Sequence, residues 1–161
     1  MSEPHREYEI DIVIEDKNWP AREILQSLAA RAIDAALQHI EGRSFAELSL
    51  AFLDDARVQA LNREYRGQDK PTNVLSFPAG DHGGDVLLGD IVLGYETVAR
   101  EAETRKIALT DHISHLLIHG FYHLQGYDHE TDVEAEAMEA LERLALCDLG
   151  IDDPYAMDEI L

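Results

Sequence analysis

A chain of 161 residues with 45% hydrophobic content is the size of one domain that buries a full core, so a single domain spanning residues 1–161 is expected. The formal charge of −20 argues against a generic nucleic-acid binder, whose affinity comes mostly from lysine and arginine neutralising phosphates. A single cysteine, Cys147, excludes internal disulfides and thiolate metal clusters, and with no signal-like start and no apolar run of roughly 20 residues the chain is expected to be soluble and cytoplasmic.

In chain order, Tyr8 to Ile14 alternates as YEIDIVI, which predicts a strand with Ile10, Ile12 and Ile14 on one face. Pro20 opens a helix whose apolar stripe (Ile24, Leu25, Leu28, Ile33, Leu37, Ile40) runs until Gly42. Glu47 to Leu53 predicts a second strand, and Asp54 and Asp55 supply capping side chains for a helix through Leu61. Strand, helix and strand in that order predict a crossover between parallel strands. Short strands follow at Val74–Phe77 and Val86–Leu93, around the turn-rich segment GDHGGD, and a charged helix covers Glu96–Arg105. Thr110 is the expected cap of a helix starting at Asp111. From His112 to Tyr127 no residue is charged when histidine is neutral, so this helix should be the buried, central one. Thr131 and Glu134 form a capping box for a last helix in which Ala135, Met138, Leu141 and Ala145 face inward and Cys147 is buried. The expected fold is α+β, a mixed sheet of about four strands packed by about five helices.

His119, His123 and His129 stand in HGFYHLQGYDH at offsets 0, 4 and 10. The first two lie one helical turn apart on one face, and Gly126 is placed to reverse the chain and return His129 toward them. Three protein ligands with one open position is the pattern of catalytic rather than structural zinc. The metzincin proteases have the same offsets in H-E-x-x-H-x-x-G-x-x-H, but Gly120 stands where they carry the glutamate base, which argues against peptide hydrolysis. Met138 reads as helix core and Met157 as tail, so neither supports a Met-turn. Asp128 or His115 would be the fourth ligand if the zinc were structural. Otherwise His115 is expected to pack or to orient a ligand, and His112 and His82 to be unrelated.

The runs NREYRGQDKPTNVLSFP (62–78), LLGDIVL (87–93) and HLLIHGFYHLQGYDH (115–129) together resemble the YbeY family of bacterial rRNA maturation factors, which are zinc-dependent endoribonucleases. The resemblance covers roughly residues 60–145. It implies that His119, His123 and His129 are the ligands of one Zn2+ and that Arg66 is the catalytic arginine of the cleft. It also implies single-strand-specific cleavage in rRNA processing, notably at the 16S 3′ end, and a role in 70S ribosome quality control. Gln68, Asn73 and Gln125 depart from the commonest family pattern, and the lysine missing at Gln68 thins the positive lining of the cleft.

A guanidinium at Arg66 would stabilise charge developing on a phosphate. The motif contains no general base. Asp128, Asp90, a water and the substrate's 2′-hydroxyl remain open, while Asn73 and Ser76 either line the cleft or serve structure. Residues 127–161 hold 12 acids against Arg143 alone, whereas residues 57–70 hold Arg57, Arg63, Arg66 and Lys70 against Glu64 and Asp69. A small basic patch on an acidic body predicts weak binding to free RNA and help from a ribosomal particle or ribosome-associated protein, with no DNA or membrane partner. The competing readings are a ribosome assembly factor with a mainly structural zinc and a metal-dependent hydrolase of another substrate.

Overall fold

The computed structural model describes residues 8–42, 44–80 and 86–156. His82, Met157 and most of the GDHGGD turn lie outside them. The chain runs β1 (Glu9–Ile14), α1 (Arg22–Leu37), β2 (Glu47–Leu53), α2 (Asp55–Arg66), β3 (Val74–Pro78), β4 (Leu87–Gly94), α3 (Tyr95–Arg105), α4 (Leu109–Leu124) and α5 (Asp132–Asp148). The four strands form one sheet in the order β1-β2-β4-β3. β1 and β4 both lie parallel to β2, and β3 adds to β4 antiparallel as an edge, which makes the sheet mixed as expected.

Alternation along the strands divides the sheet into two faces. Leu48, Leu50, Phe52, Ile91 and Leu93 join the main core with residues of α1, α4 and α5, while Ala51, Leu53, Val92, Leu75 and Phe77 pack on the other side around Val58 of α2. Burying both faces explains why the central strands are apolar nearly throughout and why β1, with one face covered, alternates. α4 supplies Ile113, Leu117, Ile118, Phe121 and Tyr122 to the main core, all fully buried, so the histidine helix is central. None of the described helices is long and apolar enough to cross a membrane.

Several boundaries and caps differ from expectation. α1 begins after Pro20 and ends at Leu37 rather than at Gly42. α2 continues past Leu61 to Arg66 and stops at Gly67, whose φ of 68° is the left-handed turn that closes a helix. Asp54 alone caps α2, accepting from the Arg57 N–H at 2.8 Å; Asp55 instead accepts from the Thr97 N–H and hydroxyl and ties α2 to the start of α3. α4 starts at Leu109 without a side-chain cap, so Thr110 lies within the helix. The Thr131–Glu134 capping box is present, and Met138 and Ala145 are buried with Ala135 and Leu141 half-buried. Cys147, expected inside, is exposed: Met138, Glu142, Ala145 and Leu146 make the inward stripe of α5, and position 147 falls off it.

Gly120 is needed for packing. A Cβ there would stand 2.9 Å from Ile91 Cγ2 and 3.0 Å from Ser76 Oγ, so α4 approaches the β3–β4 edge only because position 120 has no side chain. The position occupied by glutamate in the proteases therefore faces the sheet here. Gly120→Ala is expected to lower stability by a net ~1 kcal/mol. Overpacking costs about 1–3 kcal/mol and outweighs the roughly 1 kcal/mol that alanine gains in helix propensity; denaturant unfolding measures the difference.

Candidate metal centre

His119 and His123 lie on the last turns of α4, half-buried, and His129 lies in the loop to α5, exposed. Gly126, at φ 101°, makes the reversal between them, and the Tyr127 N–H closes it by donating to Tyr122 O at 2.9 Å. One ring nitrogen of each histidine lies within 4.8 Å of the other two.

The tautomers follow from the neighbours. Nδ1 of His119 faces Glu142 Oε2 at 3.0 Å and Nδ1 of His123 faces the Tyr127 carbonyl at 3.0 Å. Carboxylates and carbonyls only accept, so both Nδ1 atoms carry the proton and both Nε2 atoms keep a free lone pair. Those two Nε2 atoms lie 3.1 Å apart. Two nitrogens each about 2.0–2.1 Å from a tetrahedral ion stand roughly 3.4 Å apart, so the pair is nearly set to share a cation. Burial and the two neighbouring imidazoles lower the pKa of His123, which keeps it neutral and able to ligate.

Among the described residues the group stops at three. Asp128, a possible fourth ligand by sequence, accepts the His129 backbone N–H at 2.7 Å and lines the cleft without joining the cluster. His115 points instead to Glu142, with Nε2 2.6 Å from Oε1.

Glu142 is the residue that sequence reasoning missed. It is 0% exposed, and its carboxylate accepts from His115, His119 and the Tyr155 hydroxyl, the last at 2.6 Å. Burial alone would raise its pKa, but the hydrogen bonds from His115 and His119 outweigh burial and hold it at about 2. Glu142 thus orients His119 and is itself held by His115, as carboxylates behind zinc-bound histidines do. Glu142→Gln is expected to weaken metal binding at the three histidines by about 10- to 100-fold, measured by competition with a chelator.

Arg66, on the last turn of α2, reaches over the β3 edge, donates to Ser76 O and lies 5.3 Å from the centre of the Phe77 ring. It lines, with Ser76, Asp128 and the three histidines, one cleft of about 650 Å3. Ser76 donates to Gly120 O at 3.2 Å and Asn73 donates to Glu101 Oε1 at 3.0 Å, so both serve structure while lining the cleft. An aspartate at position 73 would face Glu101 with like charge. Asp90 belongs elsewhere. It alternates with Ile91 on β4 and so shares the α2 face with Val92, which removes it as a proton acceptor at the histidines.

The family model of Endoribonuclease YbeY matches residues 10–150. The chain belongs to the YbeY endoribonuclease family. The relatives named Endoribonuclease YbeY include one from Chelativorans sp. (strain BNC1), 51% identical with 92% of this chain and 94% of the relative covered. Another, from Allorhizobium ampelinum, is 49% identical over 94% of this chain and 96% of its own. The fold is also similar to the solution structure of a Thermotoga maritima protein, at TM-score 0.56 and 23% identity, covering 91% of this chain and 98% of that one.

Proposed function

We propose that this chain is a cytoplasmic, zinc-dependent endoribonuclease that cuts single-stranded RNA during rRNA processing, including maturation of the 16S 3′ end, and takes part in 70S ribosome quality control. The observation that carries this reading is the meeting of Arg66 with His119, His123 and His129 in one cleft. A structural zinc would call for a fourth protein ligand, whereas the described group has three and opens onto solvent.

His119, His123 and His129 would hold the metal through nitrogens whose direction Glu142 and the Tyr127 carbonyl fix. Zinc held there would supply Lewis acidity, the chemistry that activates water near neutral pH and polarises a phosphate ester. Arg66 holds a phosphate oxygen of the substrate and stabilises the charge that grows there, its guanidinium kept in place by Ser76 O and the Phe77 ring. Asp128 and Glu130 are the carboxylates that line the cleft, and Asp128, adjoining His129, is the one we assign to take a proton from the attacking group. Its Oδ1 is engaged by the His129 N–H, which leaves Oδ2 for that role. Ribosomal particles and associated proteins are the expected partners, because the charge of −20 disfavours capture of free RNA.

The test is cleavage of single-stranded RNA and of a 3′-extended 16S precursor by protein stripped of metal and then reloaded with zinc. Activity should vanish on stripping and return with one equivalent of zinc, and duplex RNA should resist. Equal cleavage by the metal-free protein, with contaminating nucleases excluded, would end the zinc mechanism. The product ends identify the attacking group: a 2′,3′-cyclic phosphate reports the internal hydroxyl, and a linear product reports water.

A further inference from the structure

Beside the metal cleft, between α3 and α4, lies a second cavity of about 440 Å3. Asn73, Val74 and His119 line both, so the two cavities adjoin as a groove at His119. The size lies within the ~300–1,000 Å3 of ordinary ligand pockets. Val74, Leu116 and the Tyr155 ring give it apolar walls, and Thr104 and Arg100 stand on the α3 side.

The charges here are arranged unusually for so acidic a chain, with 33 acids against 13 bases. Glu101 also lines the cavity, but its carboxylate accepts from His112 Nε2 at 2.9 Å and from the Asn73 amide at 3.0 Å, so it is engaged within the wall. Arg105 donates to the Pro154 carbonyl. Arg100 is exposed and has only a 3.5 Å contact to Thr97 Oγ1, with no carboxylate partner among the described residues. Arg66, at the other end of the groove, likewise contacts a carbonyl and an aromatic ring rather than an acid. Three arginines with no carboxylate ion pair among the described residues thus line the groove; Arg105 is tied to the Pro154 carbonyl, which leaves Arg66 and Arg100 on either side of His119.

We propose that the α3–α4 cavity is a nucleotide subsite. It seats the nucleotide of a single-stranded RNA that adjoins the scissile phosphate on the side away from Arg66, with its phosphate on Arg100 and its base against Val74, Leu116 and Tyr155. This rests on the endoribonuclease reading above. A single strand held only at the cut would have one cation to offset repulsion by the acidic body; a second phosphate contact and a base contact hold the strand across the metal centre.

The test compares zinc-loaded wild type, Arg100→Ala, Arg100→Lys and Thr104→Trp on a 12-nucleotide oligouridylate, with zinc content and thermal unfolding measured on each. Thr104 is exposed, so the indole is accommodated by the fold and occupies the cavity. Arg100→Ala should raise KM roughly fivefold, the upper end for an exposed ion pair, with kcat and zinc content unchanged. Its log–log salt dependence of kcat/KM should flatten by about 0.7, the loss of one phosphate contact on a single strand. Arg100→Lys should recover most of the salt dependence, and Thr104→Trp should raise KM as Arg100→Ala does. Wild-type KM and salt dependence in both Arg100→Ala and Thr104→Trp would overturn the subsite while leaving the nuclease reading intact. Failure of the wild type to cut any RNA would overturn that reading, and the subsite with it.

Discussion

Alanine at His119 is expected to remove both zinc and RNA cleavage, and also to cost stability that alanine at His129 does not. The difference lies behind the ring. His119 donates Nδ1 to a carboxylate that is 0% exposed, so its loss leaves Glu142 one donor short inside the protein. A hydrogen bond to a buried charged group contributes about 1.5–3 kcal/mol. Glu142 keeps His115 and Tyr155, so the fold should persist in the variant. His129 is exposed and lies 3.5 Å from Asp128, an arrangement that adds little to stability. Metal analysis of both variants, with denaturant unfolding of the metal-free proteins, checks the pair. A His119→Ala protein that retains stoichiometric zinc would overturn the ligand assignment.

The sequence made most of this architecture legible, because period and capping are local. β2 lies at Glu47–Leu53 as its short apolar run predicts, and the α5 capping box is present. α2 was harder: its last aliphatic position is Leu61, and in the following NREYR turn the buried side chain is a polar one, Asn62, which donates to Lys70 O, while the rest are exposed until Gly67 stops the helix. That extension matters, since it carries Arg66 on a helix end rather than in a loop. The three histidines were legible from spacing, and the protease base was legibly absent. The reason glycine stands at position 120, contact with Ile91 and Ser76, required the fold.

Glu142 was hidden by its company. In an acidic helix one more glutamate reads as a solvated face, and its partners lie 27 and 23 residues away in sequence. A signal was nevertheless present: position 142 falls on the inward stripe four residues after Met138 and three before Ala145. An acid at a core position has to be paired, because burying an unpaired charge is costly. His115, one turn before His119 and expected to pack or to orient a ligand, was the available partner.

Arg66→Ala is expected to lower kcat by about 10²- to 10³-fold while zinc content and stability stay near wild type. Removal of one preorganised group that stabilises transition-state charge has an effect of that size. The fold is spared because Arg66 is exposed and its anchors, Ser76 O and the Phe77 ring, belong to an edge strand held by β4. Arg66→Lys should recover little. An ammonium can approach the phosphate, but it lacks the planar fork that donates to Ser76 O and to a phosphate oxygen at once and that lies over an aromatic ring. Steady-state kinetics separate two roles for the residue. A fall in kcat at constant zinc occupancy places the guanidinium on the developing charge, whereas a rise in KM alone would reduce Arg66 to a ground-state phosphate contact and remove it from the chemistry.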